Sequence, residues 1–357
     1  MSWTVDGLSY DTRKKLTIDQ TKIDADLADF PVTVILSVAN FDFAKANADG
    51  FDIRFTTSDG STLCKYEREI HDGSAIGVYH VKVPSVAGAS DTDFYMYYRT
   101  TDTADGADPT NVWDANFIAV YHGQDATTST LADSTSNGKT LTKRAANNPL
   151  EATGQVYKGQ DFEATNTDYA TTAAEWAGGL TAMTAECIAK LETTGAYHTL
   201  IGSGEEGGGG YGEYNWMLQI YTDNTLRGTI QKSTDFILSP LNLKSTGAIG
   251  ASFKYCAMKW DGSNGHLRLD GAQDGTTAGS GTMNNSAGGT LHIGAQKNGP
   301  SGYRTALDGV MDEIRISNDD RSDAWLKATY NTLFDTLLTY GSEETPSATF
   351  ISKITIM

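Results

Sequence analysis

The chain has 357 residues, enough for two or three domains with cores of their own. Its 45 acidic against 27 basic residues give a formal net charge of −18, which repels nucleic acid and anionic membrane surfaces and sets both aside as partners. No run of about twenty apolar residues occurs, so no membrane insertion is expected. With 37 glycines, 17 tyrosines and only 7 prolines, the composition suits many short strands joined by Gly, Asp and Asn turns. The opening MSWTVDGLSYDTRKK lacks a basic stretch followed by an apolar one, and so predicts no secretory leader.

In chain order, apolar and polar residues alternate over 15–18, 30–38, 51–56, 64–70, 77–83 and 93–99. Turn formers such as Asp49-Gly50, Asp59-Gly60 and Asp72-Gly73 separate these runs, which predicts a β-sandwich over 1–110. Residues 100–111 are polar, contain Gly106 and Pro109, and read as a linker. A second series of strands is expected over 117–122, 157–162, 183–191, 198–201, 216–221, 226–231, 252–260, 266–269, 290–294 and 309–316, the length of a jelly roll over 111–342. Residues 322–336 place Trp325, Ala328, Tyr330, Leu333 and Phe334 at helical spacing behind Ser322, a candidate N-cap. A tail, 343–357, ends in an alternating run whose only charge is Lys353. Such a strand left in water is an aggregation hazard. It is expected to pair with its own first domain or with a neighbouring subunit, making the chain a homo-oligomer or an assembly subunit.

Three cysteines, Cys64, Cys187 and Cys256, read as buried thiols, with a Cys187–Cys256 disulfide as the alternative. Glu186 and Glu192 share one face of a strand but lie about 20 Å apart along it. A retaining glycosidase needs its two carboxyls about 5–5.5 Å apart. Ile188 stands where a middle acid would be needed, and the six histidines belong to no catalytic motif. These features predict a non-catalytic binding or structural protein.

Certain runs resemble known families. Residues 1–110 resemble the domain of unknown function 2341 through Arg13-Lys14-Lys15-Leu16, Asp29-Phe30-Pro31-Val32, Asp49-Gly50-Phe51-Asp52-Ile53-Arg54-Phe55-Thr56, Val81-Lys82-Val83-Pro84 and Tyr95-Met96-Tyr97-Tyr98. Residues 112–342 resemble a laminin-G-like, concanavalin A-like lectin/glucanase jelly roll through Val112-Trp113-Asp114, Val120-Tyr121-His122, Asp312-Glu313-Ile314-Arg315-Ile316-Ser317 and Ala324-Trp325-Leu326. The expected fold is all-β: two β-sandwich or jelly-roll domains, the second concanavalin A-like, with one short C-terminal helix.

The resemblance implies a structural Ca²⁺ near Asp312, with Asp125 and Asp133 as further acids and Gly123 as a carbonyl donor, because Ca²⁺ takes six to eight hard oxygens. The alternative is that Asp312 only receives backbone amides and that Arg315 pairs with an acid. A glycan or receptor face is expected on the loops over 202–216 and 298–304, through Tyr211, Tyr214, Trp216, Tyr303 and Arg304. The alternative for Trp216 is the core. The pattern fits a structural or attachment protein of a bacteriophage virion that binds a cell-surface glycan. It also fits a bacterial or archaeal surface or secreted adhesin, and, third, a glycoside hydrolase.

Overall fold

The computed structural model describes residues 2–101, 104–125, 129–172, 180–205, 213–231, 241–278, 283, 289–299 and 302–346. It is built of strands, with one α-helix among the described residues. The chain divides into two compact units, one made of residues up to Val112 together with those from Asp335 on, the other of Trp113–Phe334. The second domain therefore ends eight residues before the expected 342.

In the first unit a five-stranded sheet runs in the order Leu338–Glu344, Thr12–Ile18, Thr92–Tyr98, Arg54–Thr57 and Leu63–Cys64. A three-stranded sheet, Leu27–Ser37, Ile76–Val86 and Tyr66–His71, packs on it. Phe55 joins the two, its ring 5.5 Å from Tyr79 on the smaller sheet and 6.5 Å from Phe94 on its own. The strand nearest the C-terminus among the described residues belongs here: it pairs antiparallel with Thr12–Ile18, Leu338 with Ile18 and Glu344 with Arg13, across a register shift between Tyr340 and Glu343. Arg13 donates to Glu344 at 2.7 Å and lies over the rings of Trp3 and Tyr95. Tyr340 spans the sheets: its hydroxyl receives the Ile35 amide at 3.0 Å and donates to the Ile35 carbonyl at 2.9 Å. The expected tail strand over 348–357 lies outside the described residues.

The second unit is a sandwich of two eight-stranded sheets. One runs Leu150–Thr153, Lys158–Phe162, Gly309–Ser317, Met183–Leu191, Lys254–Trp260, Asn264–Leu269 and Ala272–Ala278, with Phe117–Tyr121 also paired to Gly309–Ser317. The other runs Thr130–Leu131, Leu141–Lys143, Ala170–Thr171, Leu291–Ile293, His198–Glu205, Glu213–Ile220, Thr225–Ile230 and Leu241–Ala248. The shared core takes Ala185, Cys187, Met258, Trp260, Ile314 and Ile316 from the first sheet and Leu200, Ile201, Trp216, Leu218, Ile220 and Ile293 from the second. The helix Asp323–Leu333 starts at Ser322, whose hydroxyl receives the Trp325 amide at 3.1 Å, as the capping pattern predicts. Arg268 anchors it to Asp323 at 2.6 Å.

Cys187 and Cys256 face each other across paired strands as free buried thiols, so the alternative disulfide is not formed. Burial pushes both thiols up, away from the reactive thiolate.

Tyr340→Phe removes the hydroxyl that receives the Ile35 amide, while the Ile35 carbonyl keeps its bond from the Asn40 side-chain amide at 2.9 Å. It is expected to lower the stability of the first unit by about 1–3 kcal/mol, the cost of leaving a buried polar group unpaired. Urea unfolding checks this; a midpoint equal to wild type would refute it.

Candidate functional site

Three tyrosines, Tyr197, Tyr214 and Tyr221, line a cavity of about 300 Å³ on the outer side of the second sheet of the Trp113–Phe334 unit. The strand Glu213–Ile220 builds its floor. Trp216, Leu218 and Ile220 point into the core, and the alternate residues Met217 and Gln219 line the cavity. A register shift opposite Ser203 and Gly204 adds one residue to this strand and brings Tyr214 to the cavity. Thr229 lies across from Met217 in the pairing, and the short hairpin of Gln296–Asn298 with Gly302–Arg304 closes another side.

The side chains are held by one another. Gln219 donates its amide to the Thr199 hydroxyl at 3.0 Å, and Thr199 meets the Thr305 hydroxyl at 2.8 Å. The Tyr197 and Tyr221 rings meet edge to face at 4.9 Å. The Arg227 guanidinium covers the Tyr221 ring at 4.7 Å and is itself anchored by Asp223 at 3.0 Å. Tyr197 is 49% exposed, so its ring is open to a ligand. The cavity offers aromatic faces, amides, hydroxyls and the Arg304 guanidinium; among its described lining residues there is no carboxylate, histidine or thiol.

Of the residues expected to recognise a glycan, Tyr214 and Arg304 line this cavity. Tyr303 instead stacks on Tyr169, with ring centres 3.6 Å apart. Trp216 is 1% exposed and belongs to the core, which corrects its expected place in the binding face; its position in the strand alternation turns the indole inward. Tyr211 lies outside the described residues. Tyr197, Tyr221, Gln219 and Gln296 were not singled out from the sequence, because the pairing of two neighbouring strands brings the first three together and a later hairpin adds Gln296. Glu186 lies on the other sheet, 1% exposed, and receives the Tyr255 hydroxyl.

The residues expected to hold Ca²⁺ have other partners. Asp133 receives the amides of Val120, Thr135 and Lys139 and the Thr135 hydroxyl, at 2.7–3.1 Å. The Gly123 carbonyl receives the Gln160 amide at 2.6 Å. The Asp125 carbonyl receives the Lys143 ammonium at 3.0 Å, and the same ammonium donates to Gln160 Oε1 at 3.1 Å. The Asp125 carboxylate receives the Ala132 amide at 3.3 Å. Burial lowers the Lys143 pKa, against the pull of Asp125 and Glu151, and raises that of Asp125. Asp312 Oδ2 receives the amides of Gln155 and Val156 at 2.8 and 2.9 Å, while its buried Oδ1 has no hydrogen-bond partner among the described residues. That one orphaned oxygen suits a cation. The rest of the donor set does not, since the Gly123 carbonyl is engaged by an amide, the Asp125 carbonyl by an ammonium, and both Asp133 oxygens by amides and a hydroxyl. Arg315 pairs with Glu313 at 2.5 Å, as the alternative reading expects.

Residues 163–327 match the model of the concanavalin A-like lectin/glucanases superfamily, and residues 49–139 match that of the domain of unknown function 2341. The second unit is thus a concanavalin A-like jelly roll within an all-β chain. No curated protein matches the chain. Among solved structures, a heptameric SAP-like pentraxin from Limulus polyphemus is similar at a TM-score of 0.36 and 15% identity, over 44% of this chain and 73% of its own. Domain 4 of AbnA, a GH43 extracellular arabinanase from Geobacillus stearothermophilus solved with arabinotriose, is similar at 0.42 and 12%, over 63% of this chain and 100% of its own. The binding domain of botulinum neurotoxin serotype G gives 0.43 and 10%, over 60% of this chain and 50% of its own.

Burial and the Glu313 carboxylate push the Asp312 carboxyl up to about 8. The usual unfolded value is about 3.9, so the folded domain holds a proton that the unfolded chain releases, and the stability this contributes is full below about pH 4 and lost as pH rises toward 8. Asp312→Asn keeps an oxygen for the two amides and removes the titration. Its melting temperature is expected to fall less than that of wild type between pH 5 and pH 8. Parallel melting curves across that range would refute the assignment.

Proposed function

We propose that the Trp113–Phe334 unit is a non-catalytic sugar-binding module and that the tyrosine-lined cavity is its binding site. The carrying observation is the pairing of open aromatic faces with fixed amide and hydroxyl groups in one concavity of about 300 Å³. Sugars present C–H faces that pack on aromatic rings and hydroxyls that exchange hydrogen bonds with amides and guanidinium groups. The match to the lectin/glucanase superfamily supports this reading. The described lining of tyrosine, methionine, glutamine, threonine and arginine, which contains no carboxylate pair, supports binding over hydrolysis. In this reading the protein is an attachment component of a virion, or alternatively of a cell surface, which presents the site from an all-β scaffold. The support for that wider role is the sequence pattern, rich in glycine and turns and without an enzyme motif.

A glycan array identifies a ligand, and calorimetry then measures its affinity for wild type, Tyr197→Ala and Gln219→Ala. Loss of one aromatic contact is expected to cost about 0.5–1.5 kcal/mol, a roughly two- to tenfold weaker Kd. Retention of no glycan, or unchanged affinity in both variants, would overturn the proposal. Release of reducing sugar from a bound glycan would overturn its non-catalytic part.

A further inference from the structure

A lysine only 3% exposed needs a reason to be where it is. Taking an ammonium out of water costs several kcal/mol unless anionic and carbonyl oxygens replace the lost water. Lys143 closes the strand Leu141–Lys143 in one sheet, and Gln160 lies on Lys158–Phe162 in the other. The Lys143 ammonium reaches the Asp125 carbonyl at 3.0 Å and Gln160 Oε1 at 3.1 Å, with the Asp125 and Glu151 carboxylates drawing it electrostatically. The other end of the same Gln160 amide donates to the Gly123 carbonyl at 2.6 Å. One positive charge therefore ties both sheets and the 123–125 segment together. Asp125, whose carbonyl it reaches, and Gly123, which shares Gln160 with it, are two of the residues that the sequence resemblance assigns to a divalent ion.

We propose that Lys143 is a tethered cation that takes the place of a metal ion in this domain, so that the domain neither binds nor needs Ca²⁺ there. The chemistry makes the two occupants exclusive. Ca²⁺ requires six to eight oxygens at about 2.3–2.6 Å. Here two of the carbonyl oxygens already receive hydrogen bonds, and an ammonium beside the Asp125 carbonyl repels a second cation. A covalently attached charge also has no dissociation equilibrium. The order of the 123–125 segment is then independent of ion concentration, whereas a metal-held segment gains stability only as free metal exceeds Kd.

The experiment melts the full chain in EDTA and in millimolar CaCl₂, for wild type, Lys143→Met and Lys143→Gly. Wild type is expected to melt at one temperature in both media. Lys143→Met keeps the apolar stem but not the charge, and is expected to melt several degrees lower in both. Lys143→Gly, which empties the position, is expected to recover part of its loss with added methylammonium or CaCl₂, neither of which moves wild type. A wild-type melting temperature raised by CaCl₂ over EDTA would overturn the proposal, since an ion would then be held beside the lysine. A Lys143→Met protein as stable as wild type would overturn it from the other side. The wild-type comparison needs no variant and decides the matter if both variants fail to fold.

Discussion

The strand Gly309–Ser317 is buried along its whole length while carrying Asp312, Glu313 and Arg315, and the second domain is organised around that constraint. It pairs with Met183–Leu191 along one edge and with Lys158–Phe162 and Phe117–Tyr121 along the other, so both edges are covered. Met311 and Ile314 both reach the core although they are three residues apart, which strict alternation forbids. A bulge resolves the conflict. Glu313 adopts a φ of +50°, and the step of two residues from Glu186 to Ile188 on the neighbouring strand matches a step of three here, from Arg315 to Asp312. The cost of that backbone, of order 1–3 kcal/mol, is offset by what it places. Arg315 meets Glu313 at 2.5 Å and lies 5.1 Å from the Trp113 ring, and Asp312 closes the 154–156 turn through two amides. Gly154 must be glycine there, because a Cβ would sit 2.5 Å from Asp312 Oδ2.

Several other buried titratable groups of the same domain find partners locally. Glu186 receives the Tyr255 hydroxyl, His122 meets Glu313 at 2.6 Å, and Lys143 is held by Asp125 and Gln160. Removing one partner from such a group leaves the other uncompensated and costs about 3–5 kcal/mol. The charged residues of this domain thus act as specific ties between strands, and the groove on the other sheet is left to tyrosines, amides and hydroxyls. A rigid sheet below and short hairpins above make that groove suitable for recognition.

In the first domain the critical contact is the most distant in sequence. The strand Leu338–Glu344 forms an edge beside Thr12–Ile18, and Tyr340 bonds to Ile35 on the other sheet. The second domain is in effect inserted between the last two strands of the first. Loop-closure entropy rises only slowly with length, so an insertion of this size is tolerable once its ends are close.

By itself, the sequence determined the all-β class, most strands of both domains, the helix behind Ser322, and the acid–amide and Arg–acid partners open to Asp312 and Arg315. These depend on local periodicity, turn chemistry and residue type, which short windows of sequence contain. Only the tertiary structure decided which domain owns residues 338–344, because the pairing partner lies over three hundred residues away. It alone turned Trp216 into the core while bringing Tyr214 to the groove two residues earlier, since a one-residue bulge changes which side a strand presents. It also gathered Tyr197, Gln219 and Tyr221 from one strand pair and Gln296 and Arg304 from a later hairpin into one cavity. Lys143 was invisible for the same reason: a lysine in a short strand reads as a solvated charge until folding brings the Asp125 carbonyl and Gln160 around it and removes the water.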